Sequence, residues 1–387
     1  MGAALPTTSW LVDPGAAYLN HGGYGALPRP VADAADRWRE EIESSPTDVF
    51  ARRWPGLVDG VRRRVADFLS ADTADLVFVP NTTTGTATVI ACLGLTAGDE
   101  IVTTDHRYPA LANQVGVLAG RGVHVVETPV AVDVQSADDV IDAVLGQVTP
   151  RTKLVVIDHI ASPTGFVFPV REIVAAAHAA RVPVLVDAAH APGQVPVDLR
   201  AIDADFWVGN MHKWVCSPRA CAVLHVAPKW QDHIRPLVAS HDFFDGFQPA
   251  FDWTGTADPI PLLAIPAALD FWAKLGWDNV RSHQHALVTD GAEYVAKQLG
   301  TAVAVRDEFT AAMRLVELPQ PLSRESGIAV NERLMLDHKV TAPITHHQNR
   351  SFVRVCGQLY NVAEHFERLA DALAVVLNDV RPLRQPG

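Results

Sequence analysis

Two side chains 26 residues apart carry the first suggestion of chemistry. Asp187 ends the apolar run 184–187 and is followed by Ala188, Ala189 and His190. Lys213 closes the stretch Gly209, Asn210, Met211, His212, Lys213, directly after the apolar run 206–209. If both runs are strands of one sheet, the carboxylate and the amine reach the same carboxyl edge, where open α/β sheets place ligands. A lysine can form an imine with an aldehyde, and a carboxylate can keep a pyridine nitrogen protonated so that the ring accepts electrons from a bond breaking at Cα. These are the two groups that pyridoxal 5'-phosphate (PLP) chemistry needs. Each has an ordinary reading alone, Asp187 as a helix cap and Lys213 as a solvated surface charge. The pair, each member following a buried strand, points to the cofactor.

A phosphate needs its own cradle. The segment Asn81, Thr82, Thr83, Thr84, Gly85, Thr86 follows one apolar run and opens a helical one. Backbone N–H groups and hydroxyls would therefore converge at a positive helix end, although a plain N-cap reads the same way. Asn210, His212 and the later Gly255-Thr256 are further donor candidates.

The elements that must position these groups are strands at 76–80, 101–104, 123–128, 154–158, 184–187, 206–209 and 221–226, with helical composition between them at 84–93 and 170–180. Several of these runs are apolar on both faces, as strands buried between two helix layers are. The fold class is therefore α/β, a mainly parallel seven-stranded sheet sandwiched by helices. After the proline-rich segment 259–266, read as a hinge, the texture changes. Helices at 265–275, 280–299 and 361–377 alternate with strand-like pieces at 302–306, 312–316 and 351–355, which suggests a smaller C-terminal α+β domain. The last helix shows an Asn361-x-x-Glu364 capping box. The division is an N-terminal arm at 1–18, a large domain at 19–260 and a small one at 261–387.

A formal net charge of −12 on 387 residues argues against nucleic acid or anionic lipid as partner. The four cysteines, Cys92, Cys216, Cys221 and Cys356, form no ligand or disulfide pattern, so no metal is expected and the thiols suit a reducing compartment. No apolar run reaches the ~18 residues of a membrane span. Residues 1–14 lack the pattern of a secretory signal. A cytoplasmic protein is the expectation.

The text LNHGGYGALP (19–28), SPTDVFARRWPGL (45–57), DHRYPALAN (105–113), VDAAHAPGQVPVDL (186–199), DFWVGNMHKW (205–214), DWTGT (252–256) and RVCGQLYN (354–361) resembles the class V aminotransferase group of fold-type I PLP enzymes, most of all its isopenicillin N epimerase branch and more distantly the cysteine desulfurases. The resemblance implies Lys213 as the Schiff-base lysine, Asp187 as the pyridinium partner and His190 beside the ring and its 3'-oxygen. It implies phosphate contacts from Thr83, Thr84, Asn210 and His212. Thr256 would reach the phosphate of a neighbouring subunit, which implies a homodimer with active sites at the interface. Tyr108 or His106 would stack on the ring, and Ser162 would approach the 3'-oxygen. Arg354 would grip the substrate α-carboxylate through its planar fork, with His21 and Gly22 completing that pocket.

One departure bears on the reaction. Cysteine desulfurases place a nucleophilic cysteine in the loop before the substrate arginine, and here that loop reads Thr345, His346, His347, Gln348, Asn349, Arg350. The resemblance therefore implies chemistry at Cα of an amino acid, epimerisation first, in specialised metabolism. β-Elimination of a C–S bond, decarboxylating deamination and transamination remain as alternatives; a PLP-fold protein without catalysis stands further off, and a Rossmann enzyme without PLP further still, because no GxGxxG follows the first sheet strand. The aromatics Phe50, Trp54, Phe243, Phe244 and Phe247 are candidates for a substrate mouth or for core.

Overall fold

The computed structural model describes residues 9–379. A short strand, β1 (Ala17–Tyr18), precedes the large sheet, which contains β2 (Leu76–Val79), β3 (Glu100–Thr104), β4 (His124–Thr128), β5 (Thr152–Asp158), β6 (Val184–Asp187), β7 (Phe206–Asn210) and β8 (Ala222–Val226). These are the seven runs read as strands, with ends agreeing to within two residues. The order across the sheet is β2-β8-β7-β6-β5-β3-β4, and only β8 runs against its neighbours.

The two-faced apolar pattern follows from the pleat. Leu154 and Val156 of β5 pack with Val89, Ile90, Leu111 and Val115 of helices Thr82–Cys92 and Pro109–Ala119. Val155 and Ile157 face the opposite layer, built from helices that include Arg29–Ser44, Trp54–Leu69 and Val170–Ala179. The segment expected to be a hinge joins this second layer. Pro261 and Pro266 sit in the first turns of helices Ile260–Leu263 and Ile265–Leu275, where a missing N–H costs nothing. Ile260, Leu263, Ile265 and Leu269 are buried in the large-sheet core.

The second sheet contains β9 (Met313–Glu317), β11 (Ile344–His347) and β12 (Arg350–Cys356) in the antiparallel order β11-β12-β9, while β10 (Val340–Thr341) pairs in parallel with β1. Helices Trp277–Leu299, Arg324–His338 and Ala363–Val376 cover it through Val288, Ala292, Val330, Leu334, Phe366 and Leu373. Ala17 and Leu19 are buried in the same core, so β1 belongs to it, while Trp10 packs with Trp272, Val280 and Tyr360; residues 1–8 of the expected arm lie outside the described residues. The strand expected at 302–306 is reduced to one bridge, Val303 with Val316, before the chain bends into the turn Asp307–Phe309. The expected capping box does not form. Val362 is the N-cap, and Asn361 is occupied elsewhere, donating to Tyr18 O and accepting from Gln358 N, both at 3.0 Å. No helix among the described residues is long and apolar enough to cross a membrane.

Candidate active site

Parallel pairing of β5, β6 and β7 aligns Asp158 with Asp187 and Asp187 with Val208, so the strand ends meet at one edge of the sheet. A cavity of about 180 Å³ opens there. Its wall holds Asp158, Asp187, His190, Asn210, His212 and Lys213 from the sheet edge, Thr82 and Thr83 from the start of helix Thr82–Cys92, Gly23 and Tyr24 from the N-terminal turn, and Tyr108 and Ser162. Eight residues singled out in the sequence thus converge: Thr83, Tyr108, Ser162, Asp187, His190, Asn210, His212 and Lys213.

The proton positions follow from the neighbours. Burial pushes His190 well below the ordinary histidine range, so its ring is neutral. Trp214 Nε1 can only donate, and it lies 3.4 Å from His190 Nδ1, which must therefore accept. The imidazole proton is left on Nε2, 3.0 Å from Lys213 Nζ. Desolvation lowers the Lys213 pKa to about 8, against the pull of Asp187, so the amine stands closer to its neutral form than an exposed lysine does. Burial raises the Asp187 carboxyl, opposed by its bond from Ala189 N (3.1 Å) and by the Lys213 charge.

At the other end, Asn81 caps helix Thr82–Cys92 through Thr84 N (2.8 Å), and Asn210 Oδ1 accepts from Thr82 N (3.0 Å). Gly85 lets this helix lie directly on the sheet, since a Cβ there would stand 2.5 Å from Val208 Cγ1. His212 is tied through Nδ1 to the Cys221 carbonyl (2.9 Å), which leaves Nε2 for a ligand. Gly25, at φ 71°, packs against the His212 carbonyl, where a Cβ would come within 2.2 Å. Thr82 Oγ1 is buried with no partner, although it belongs to the cavity wall. An orphaned hydroxyl at a positive helix end beside Asn210 and His212 fits a phosphate, and the amine and carboxylate at the far side fit the aldehyde and ring nitrogen of PLP.

The cavity meets a wider groove of about 960 Å³ at Tyr108 and Ser162, and Arg354 lines that groove. Buried on β12, Arg354 donates through Nη2 to Asn20 Oδ1 (2.8 Å) and through Nη1 to Ser162 O. Its Nε has no partner. A planar guanidinium held in place at the groove wall is suited to an anion entering from the groove.

Other candidates stand elsewhere. His106 does not line the cavity: it is buried with Nδ1 on Thr164 Oγ1 (2.7 Å) and Nε2 on Val130 O (2.7 Å), so Tyr108, 43% exposed, is the one positioned over the cavity. His21 lies behind Lys213 rather than in a carboxylate pocket. Its Nδ1 meets Tyr360 Oη (3.0 Å) and its Nε2 meets Lys213 O (3.2 Å), so neither nitrogen faces a substrate. Gly22 packs against Met313 and His190, where a Cβ would meet Met313 Sδ at 2.8 Å. The Thr84 hydroxyl is committed to Asn81 Oδ1 (3.1 Å). Thr256 sits in an exposed turn outside the cavity. Phe50 and Trp54 line a separate cavity of about 320 Å³ with Trp253, Phe247 is core, and Phe244 is 89% exposed; none borders the groove. The Cys356 thiol is buried and pushed up by desolvation, and it accepts from Gly22 N at 3.4 Å.

Sequence reasoning passed over Thr82, Asp158, Asn20 and Tyr24. The signal for Thr82 was present in the helix start but not resolved among three threonines, and Asp158 ends β5 as Asp187 ends β6.

Residues 17–369 match the family model described as aminotransferase class-V. Among curated relatives, a putative L-cysteine desulfhydrase 1 of Oryza sativa subsp. japonica is 31% identical over 94% of this chain and 84% of its own. An isopenicillin N epimerase of Amycolatopsis lactamdurans is 30% identical over 94% and 95%. Among solved structures, a C-DES mutant with glycine covalently linked to its PLP cofactor superposes with a TM-score of 0.79 at 21% identity, covering 95% of this chain and 97% of that one. This chain belongs to the class-V aminotransferase family, enzymes of PLP fold type I that use pyridoxal 5'-phosphate.

Proposed function

We propose that this enzyme acts at Cα of an amino-acid substrate in the manner of an isopenicillin N epimerase, in the cytoplasm and as a homodimer. The observation that carries the reading is one cavity holding both the Lys213 amine, 3.0 Å from His190 Nε2, and the buried Asp187 carboxyl, beside the groove of Arg354.

When bound, PLP supplies an aldehyde for the lysine and a protonated ring that takes up the electrons of a bond broken at Cα. Asp187 keeps the ring nitrogen's proton in place, and His190 Nε2–H donates toward the ring oxygen. Thr82, Thr83, Asn210 and His212 hold the phosphate, and Tyr108 covers the ring. Arg354, oriented by Asn20 and Ser162, takes the substrate carboxylate and so fixes which Cα bond is aligned to break. Lys213 accepts the Cα proton; an amine with a pKa of about 8 is a base near working pH. Tyr108 and Tyr24 are the phenols lining the cavity, and a proton returned from that side to the opposite face inverts Cα. Thr256 lies outside the cavity of its own chain, so the phosphate contact that the family resemblance implies for it would have to be made across a subunit boundary.

A β-eliminating C–S lyase is the second reading, supported by the rice relative. The groove of about 960 Å³ beside the cavity leaves room for a substrate larger than cysteine, which is compatible with the first reading. Turnover of amino acids in deuterated water separates the two. Cα deuterium incorporation without pyruvate or sulfide supports epimerisation, whereas stoichiometric sulfide and pyruvate replace it with the lyase.

A further inference from the structure

Beneath the groove, three nitrogen atoms crowd one oxygen. Val130 O has His106 Nε2 at 2.7 Å, His347 Nε2 at 3.1 Å and Gln348 Nε2 at 3.3 Å. A carbonyl has two lone pairs, so three donors are one too many. The Asp105 carboxylate closes the cluster, with Oδ1 3.8 Å from His106 Nε2 and Oδ2 3.7 Å from His347 Nε2. Both histidines are buried, with ring centroids 4.2 Å apart.

We propose that Asp105, His106, His347 and the Val130 carbonyl bind one divalent cation of the zinc type, clamping the end of β3 to the end of β11 beside the mouth of the active site. One ligand atom from each of Asp105, His106 and His347 lies within 4.8 Å of the others, and Val130 O stands 2.7 and 3.1 Å from the two Nε2 atoms, close to the roughly 3.3 Å edge of a tetrahedron with ~2.0 Å bonds. With the ion in place, the two Nε2 atoms present lone pairs to it, and the crowding on Val130 O is relieved. His106 Nδ1, 2.7 Å from Thr164 Oγ1, then donates to that hydroxyl, the outer bond that fixes the tautomer of a metal-bound histidine. Asp105 is oriented in the same way, by Val130 N on Oδ1 (3.0 Å) and Gln348 Nε2 on Oδ2 (2.9 Å). An imidazole and carboxylate set without thiolate suits zinc or its divalent neighbours. Cysteine spacing, which gives the expectation of no metal, is silent about ligands 241 residues apart in sequence. The site shares no residue with the cofactor cavity, so it stands whether or not the proposed reaction does.

The test uses PLP-saturated enzyme stripped with a chelator and titrated with zinc chloride by calorimetry, with elemental analysis and thermal unfolding alongside. One equivalent per chain and a raised Tm are expected. D105N, nearly isosteric and checked for folding by circular dichroism, and H347A should each weaken zinc by more than about 100-fold. H346A should keep the equivalent, since that ring faces Ser351 Oγ at 3.0 Å. Absence of saturable zinc in the wild type, or equal binding by wild type and D105N, overturns the proposal.

Discussion

Asp158 and Asp187 are register partners at the ends of β5 and β6, and both carboxyls are buried in the wall of one cavity. Two carboxylates so placed do not both ionise. Burial and the neighbouring Asp187 push Asp158 well above the usual range, whereas the Ala189 N–H and the Lys213 charge oppose the burial of Asp187. Asp158 therefore carries the proton and Asp187 the charge. D158N, isosteric with the protonated acid, should keep kcat/KM within about threefold, under 1 kcal/mol. D187N should lose about 10²–10³-fold, the scale of a missing electrostatic partner. Parallel kinetics with the cofactor's visible band check both, and a fall in D158N as deep as in D187N would reverse the proton assignment.

Lys213 gives a pH prediction of definite sign. Its folded pKa of about 8 lies below the ordinary lysine value of 10.5. A depressed lysine contributes its stability above the unfolded value and loses it as pH falls through the folded one. In cofactor-free protein, K213M should therefore be more stable than wild type at pH 7, by at most about 3 kcal/mol. That advantage should shrink between pH 8 and 10.5, as urea unfolding at a series of pH values will show. In loaded protein the same substitution should abolish the lysine-linked visible band and lower kcat by at least about 10²-fold.

Arg354 is argued to work through its geometry as well as its charge. R354K keeps the charge but loses the fork held by Asn20 and Ser162. KM should rise about 10- to 100-fold, the equivalent of one or two charge-assisted bonds, with a smaller change in kcat. Steady-state kinetics on the same substrate decide it; a kcat loss at unchanged KM would remove Arg354 from carboxylate binding.

Thr82 is expected to hold phosphate through a hydroxyl that has no other partner. T82V keeps the shape and removes that oxygen, and PLP affinity should drop about tenfold, 1–2 kcal/mol, with little change in Tm. Fluorescence titration of the stripped enzyme measures this. Unaltered PLP affinity would show that the hydroxyl does not face the phosphate.

Much of the scaffold is legible because burial on both faces leaves one kind of sequence, seen in Val155, Val156 and Ile157 of β5 or Leu185 and Val186 of β6. Lys213 and Asp187 are legible for the same reason, since polar groups directly after such runs stand out. His21 and His106 mislead because a buried imidazole that serves a backbone carbonyl carries the same letter as one that serves a ligand. Asp158 and Asn20 act through neighbours far along the chain, Asp187 and Arg354, and only the register of β5 with β6 and the seating of β12 bring them together. The missed capping geometry at Asn361 has the same origin, its amide being claimed by Tyr18 from the other end of the protein.

The pairing of β1 with β10 has a consequence for biosynthesis. Gly23 and Tyr24 emerge from the ribosome before the large sheet, while Arg354 and the Tyr360 that braces His21 emerge after it. In synthesis the wall of the cofactor cavity is thus made by the time Lys213 is, while Arg354 of the groove follows 141 residues later. A fusion that strains β1 would be felt at the chemistry rather than at the periphery, because Gly23 and Tyr24 of the cavity wall follow it directly.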